Sequence, residues 1–210
     1  GFNALTTEDA HGQNVAIGYK ALEDLNAGVD GLNTAVGYAA GLNVTTGVQN
    51  TLIGGLAGDA LTDADYNVAI GTDALHSDTL GSRSVAVGRR SLYTQNFTSA
   101  TDSYNIGVGF NAGYSITTGS LNTLIGGVSG DALTTGGQNV SVGQNSLTSA
   151  TTSGNNTAIG YASMLATTTG GQNTAVGAQA LDANTTGADN VAIGLNALGA
   201  ADTSNRNVAI

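Results

Sequence analysis

A five-residue motif, N-[VT]-A-[IV]-G, returns along the whole chain, and its spacing constrains the fold more than any other feature. With the motif asparagine as position 0, it falls at Asn14, Asn33, Asn50, Asn67, Asn105, Asn122, Asn139, Asn156, Asn173, Asn190 and Asn207, and Ser84 occupies one slot. The step from one motif to the next, as from Asn50 to Asn67, is 17 in nine of eleven cases; it is 19 after Asn14 and 21 after Ser84. A unit this short, stopped by glycine-rich segments, cannot hold a helix of ordinary length. It can hold one strand and a return path, and such units bury apolar residues only by stacking on their neighbours. Residues 1–210 therefore read as a single continuous repeat array of twelve coils, with insertions near 23–32 and 93–104. The chain opens in the middle of a motif, and we expect it to be an excerpt of a longer fibre.

Position +1 is Val, Thr or Ile in every motif and +3 is Ile or Val in every motif. These β-branched residues suit a strand, and alternation puts both on one face. Position +2, on the other face, is mostly Ala. A strand apolar on both faces is buried on both faces. The expectation is that one face lines the inside of the coil and the small side chains at +2 meet other chains. The expected fold class is all-β: a parallel β-solenoid of twelve coils. The asparagines at position 0 should stack as a ladder of side-chain amides.

Glycine at +4 ends each strand. Position +8 is then Leu or Met in most units, as at Leu22, Leu75 and Met164. It is Gly at Gly41, Gly58, Gly113 and Gly130, and those units carry an apolar side chain at +11 instead: Val44, Leu61, Ile116 and Leu133. This reads as one core slot filled from two alternative positions. Units often close on T-T-G, as at Thr168–Gly170, a turn sequence. The stretch "NTLIGGLAGDAL" from Asn50 recurs from Asn122 as "NTLIGGVSGDAL". Only these two motifs have Leu at +2 (Leu52, Leu124), and only they have Gly at +5 (Gly55, Gly127). The pairing suggests that +2 and +5 compete for one volume.

The motif followed by x-x-A-L and T-T-G, as in "NTAIGYASML" and "NVAIGYKAL", resembles the repeats of phage tail fibres and bacterial surface fibres. It also resembles the related S-V-A-I-G heads of trimeric autotransporter adhesins, whose period is shorter than the one seen here. The resemblance covers the whole chain. It implies a left-handed β-roll wound by three identical chains, an intertwined homotrimeric fibre shaft. It further implies an extracellular place, in a virion fibre or on a cell surface. The implied role is structural reach and display of adhesion, most simply in a phage tail fibre. A bacterial trimeric adhesin or self-assembling appendage is the alternative, and a monomeric ice- or glycan-binding solenoid a remote one. The expected partners are copies of the chain itself and a host-surface glycan or protein engaged through a tip in another domain.

Composition sharpens what to exclude. The net charge of −10 disfavours nucleic acid and anionic membrane, and with no cysteine there is neither a disulfide framework nor a thiolate site. No apolar run is long enough to insert into a membrane. We expect no enzyme, no catalytic residue, no metal and no cofactor. His11 and His76 lie units apart, and Asp59 and Asp131, in equivalent "GDAL" slots, read as turn-capping residues. One surface contact patch is expected around the Ser84 unit, which carries an insertion and gathers Arg83, Arg89, Arg90, Tyr93, Phe97 and Tyr104.

Overall fold

The computed structural model describes residues 1–8, 12–200 and 202–210. The chain divides into two compact units, Gly1–Tyr104 and Asn105–Ile210. Each is a parallel β-solenoid, with no helix among the described residues.

In the first unit the rungs are β1 (Val15–Ile17), β2 (Thr34–Val36), β3 (Thr51–Ile53), β4 (Val68–Ile70) and β6 (Val85–Val87). Each pairs in parallel with the next, so Thr34 faces Thr51 and Thr51 faces Val68. A short parallel pair joins β5 (Gly81–Ser82), just before Ser84, to β7 (Thr101–Asp102), in the insertion after it. In the second unit the rungs are β8 (Ile106–Val108), β9 (Thr123–Ile125), β10 (Val140–Val142), β11 (Thr157–Ile159), β12 (Thr174–Val176), β13 (Val191–Ile193) and β14 (Val208–Ala209), again in sequential parallel register. Every rung starts at position +1, where the sequence pattern puts it.

Among the described residues the return path of ordinary coils has no further strand, yet its amides also pair with the next coil. Leu75 N–H donates to Ser91 C=O at 3.0 Å, and Thr168 N–H to Thr185 C=O at 2.8 Å. Coil-to-coil bonding thus satisfies the backbone around the circuit. The tight winding needs left-handed backbone at −1, +6 and +8, as at Tyr66 (φ 60°), Asp73 (57°) and Leu75 (52°). The +4 glycine goes further: at Gly71 φ is 134°, and a β-carbon would lie 2.6 Å from the carbonyl oxygen of Gly88 in the next coil. No side chain fits there.

The strand faces are assigned the opposite way from the sequence expectation. Position +2 points inward: Ala35, Leu52, Ala69, Leu124 and Ala158 are fully buried. The β-branched side chains at +1 and +3 point outward, with Ile53, Ile125 and Ile159 at 37–39% exposure. The reason is volume. The coil is thin. Its interior already receives the buried side chain at +8, such as Leu75 or Met164, or the one at +11, as with Val44, Leu61, Ile116 and Leu133. A small side chain at +2 leaves room for the large one at +8. The alternation of +8 and +11 as suppliers of the core holds.

The expected competition between +2 and +5 does not. Leu52 is inside, while a β-carbon on Gly55 or on Gly127 would meet nothing within 4 Å. The competitor of Leu52 is position +8. A β-carbon on Gly58 would lie 2.7 Å from Leu52 Cδ2, and one on Gly41, in the preceding coil, 2.7 Å from Leu52 Cδ1. Leu52 therefore fills space that two successive coils vacate at +8. Leu124 does the same beside Gly130, whose β-carbon would lie 2.8 Å from Leu124 Cδ2.

Candidate functional site

The asparagines of position 0 form a buried column in each unit. In the second unit the Oδ1 of Asn105 accepts the main-chain N–H of Asn122 at 3.0 Å, and the pattern repeats through Asn139, Asn156, Asn173, Asn190 and Asn207. The Nδ2 groups donate to turn carbonyls, for example Asn156 to Gly170 at 3.0 Å and Asn173 to Gly187 at 2.9 Å. In the first unit Asn14, Asn33, Asn50 and Asn67 make the same main-chain links, from Asn33 N–H to Asn14 Oδ1 onward. The ladder thus runs from side chain to main chain as well as between amides, and it pins strand to turn. Ser84 N–H donates to Asn67 Oδ1 at 2.8 Å, but Ser84 has no side-chain amide. Its Oγ instead meets Ser103 Oγ and accepts from Gln95 Nε2 at 2.8 Å. Gln95 Nε2 also donates to Asp78, whose Oδ1 accepts the N–H groups of Gly81 and Phe97 at 3.0 Å. Asp78 is fully buried, and burial raises its pKa against those hydrogen bonds.

The residues expected to form one contact patch fall into different columns of the solenoid. Arg83 lies over the Tyr66 ring at 4.7 Å and the Tyr104 ring at 6.0 Å, and its Nε meets Asp102 Oδ1 at 2.9 Å. Arg90 lies over Tyr93 at 5.4 Å and meets Asp73 at 3.2 Å. Arg89 is exposed in the +5 column. Phe97 is 6% exposed, so it is a core residue of the insertion and not a surface contact. A repeat fold separates neighbours in sequence by column and unites residues one coil apart. That is why Tyr66, Asp73 and Asp102 join the arginines although the sequence did not single them out.

Asp59 and His76, one coil apart, are 2.6 Å from Oδ1 to Nδ1, and the His76 ring stacks on Tyr93 at 5.0 Å. Burial raises the pKa of Asp59, with His76 acting against it. Asp131 has no such histidine beside its buried Oδ1. Burial raises its pKa while the N–H groups of Asp131 and Ala132 oppose the shift, which fits a turn cap. His11 lies outside the described residues. Among the described residues no three His, Asp or Glu side chains converge on a metal-sized site.

Two exposed features remain. One is the outward face of the strands. In the second unit it carries Ile106, Val108, Thr123, Ile125, Val140, Val142 and their successors to Ile193, with no charged residue at +1 or +3. The other is the +5 column. There Phe2 stacks on Tyr19 at 5.8 Å and Tyr19 on Tyr38 at 5.4 Å, with ring planes within 9°. Isolated apolar residues on a surface are ordinary, but a contiguous apolar face marks an interaction site. No family model, no curated protein and no solved structure matches the chain.

Proposed function

We propose that this chain is part of the shaft of an extracellular fibre, assembled from three copies of itself, which gives reach and displays an adhesive function carried by another domain. The resemblance of its repeats favours a phage tail fibre. The observation that supports the reading is the uncovered β-branched face. A partner lying along that face must share its coil-to-coil period, and a second copy of the chain shares it by construction. The face carries no charge, so copies of an acidic chain can meet there without like-charge repulsion. Covering half-exposed Ile and Val side chains contributes on the order of 1 kcal/mol each. Summed along the face, that supports a stable assembly. The ladder of buried amides suits the same role, because it ties each coil to the next and stiffens the solenoid. Native mass measurement of the full chain tests the proposal. Three copies per particle is the expected result, and a monomer at every concentration would refute it.

A further inference from the structure

Gly55 and Gly127 are glycines that nothing inside their own chain requires. Neither has a positive φ, and a β-carbon on either would meet no atom within 4 Å. They hold the same slot in the two "NTLIGG" motifs. Each follows the +4 glycine that ends an outward-facing strand, so each borders the uncovered β-branched face. A glycine without an internal reason points to close approach by something outside the chain.

The +5 column shows what approaches. Tyr38 has Tyr19 stacked on one side of its ring, and the rung on the other side is Gly55. The next rung after that is Thr72, which is exposed. With a rise of about 4.8 Å per coil, Tyr38 and Thr72 stand roughly 10 Å apart, the space for one ring at ordinary stacking distance. The rings already stacked in this column, 5.4 and 5.8 Å apart, show the spacing such an insertion would take.

We propose that the Gly55 notch, and the equivalent notch at Gly127, each seat an aromatic side chain from the +5 column of a neighbouring copy, and so fix the axial register between copies. This rests on the self-assembly reading above. A sheet face of constant period leaves copies free to slide by whole coils, since every slip recovers most contacts. A ring seated at the glycine rungs, and kept out of rungs filled by Tyr, Phe, Arg or Leu, removes most of that freedom. The occupant is a Tyr or Phe of a second copy because exposed aromatics recur in the same column at Tyr19, Tyr38 and Tyr161, beside the face on which copies meet.

The test uses the full chain with Gly55→Tyr, Gly127→Tyr and both together, and Gly55→Ala as a smaller filler. Sedimentation across a dilution series reads assembly, and circular dichroism reads the coil fold. The proposal expects the double variant to keep the fold and to assemble at least ten-fold more weakly than wild type, with Gly55→Ala intermediate. A double variant that assembles like an assembling wild type overturns the notch and leaves the fibre reading standing. Loss of the coil fold in Gly55→Ala also overturns it, because the constraint would then lie within the chain. A wild-type chain that never assembles overturns both.

Discussion

Gly58 lies where any side chain would strike Leu52: its β-carbon would be 2.7 Å from Leu52 Cδ2 and 2.9 Å from Leu61 Cδ1, at a φ of +56°. Gly58→Ala should therefore cost about 2–4 kcal/mol, combining left-handed strain with overpacking. Leu52→Ala in the same chain should recover part of that loss, so the two effects will not add. Gly55→Ala, in the same coil, should leave the stability of the unassembled chain unchanged, because its β-carbon meets nothing within 4 Å. Chemical denaturation at high dilution of five chains (wild type, Gly58→Ala, Leu52→Ala, the double variant and Gly55→Ala) reads all of this.

Asn156 holds three bonds at once. Its Oδ1 accepts from Asn173 N–H at 3.0 Å and Asn173 Nδ2 at 3.2 Å, and its Nδ2 donates to Gly170 at 3.0 Å. Asn156→Ala leaves a buried N–H and a buried carbonyl without those partners, which should cost about 2–5 kcal/mol. Hydrogen exchange should show the loss first at the Asn173 amide, whose acceptor is removed.

Val128 is a β-branched residue at +6 with φ 52°, a conformation poorly suited to it. Equivalent positions in other coils hold Asn111, Asn145 and Asn196, a residue type that tolerates it. Val128→Asn should raise stability by about 1 kcal/mol. A fall in the denaturation midpoint would contradict this.

Asp78 supplies a pH dependence of unusual sign. Burial, the leading cause, puts its folded pKa above the ordinary 3.8. A carboxyl whose pKa rises on folding contributes stability below its unfolded value and loses it as pH rises through the folded one. Relative to Asp78→Asn, the wild-type chain should lose thermal stability as pH is raised from 3.8 to neutrality. Parallel melting curves of the two proteins against pH would expose the opposite slope if the backbone hydrogen bonds outweigh burial.

The strand positions and the asparagine column were legible in the sequence because both rest on one residue type recurring at a fixed interval. The direction of the strand face was not. With Ala at +2 and Val at +3, both faces are apolar, and alternation alone cannot choose between them. The choice follows from volume: Leu75 or Met164 at +8 already occupies the thin core, and a small side chain at +2 fits beside it, whereas Leu52 at +2 is admitted where +8 is Gly58. Sequence proximity likewise grouped Arg83 with Arg90 and Phe97, whereas the coil sets Arg83 over Tyr66 and Tyr104 and folds Phe97 inward. The left-handed +6 position did leave a trace, in the asparagines at Asn111, Asn145 and Asn196.

Self-assembly over the outward strand face can be read with single thiols, because the chain has no cysteine of its own. Ile159→Cys puts a thiol at +3 on the face, and Thr169→Cys puts one at an exposed turn position away from it. The measurement is the rate of thiol labelling of each full-chain variant under native conditions. If copies cover the face, position 169 labels rapidly, and position 159 is protected until dilution releases single chains. Equal, rapid labelling at both positions at every concentration would contradict assembly on this face.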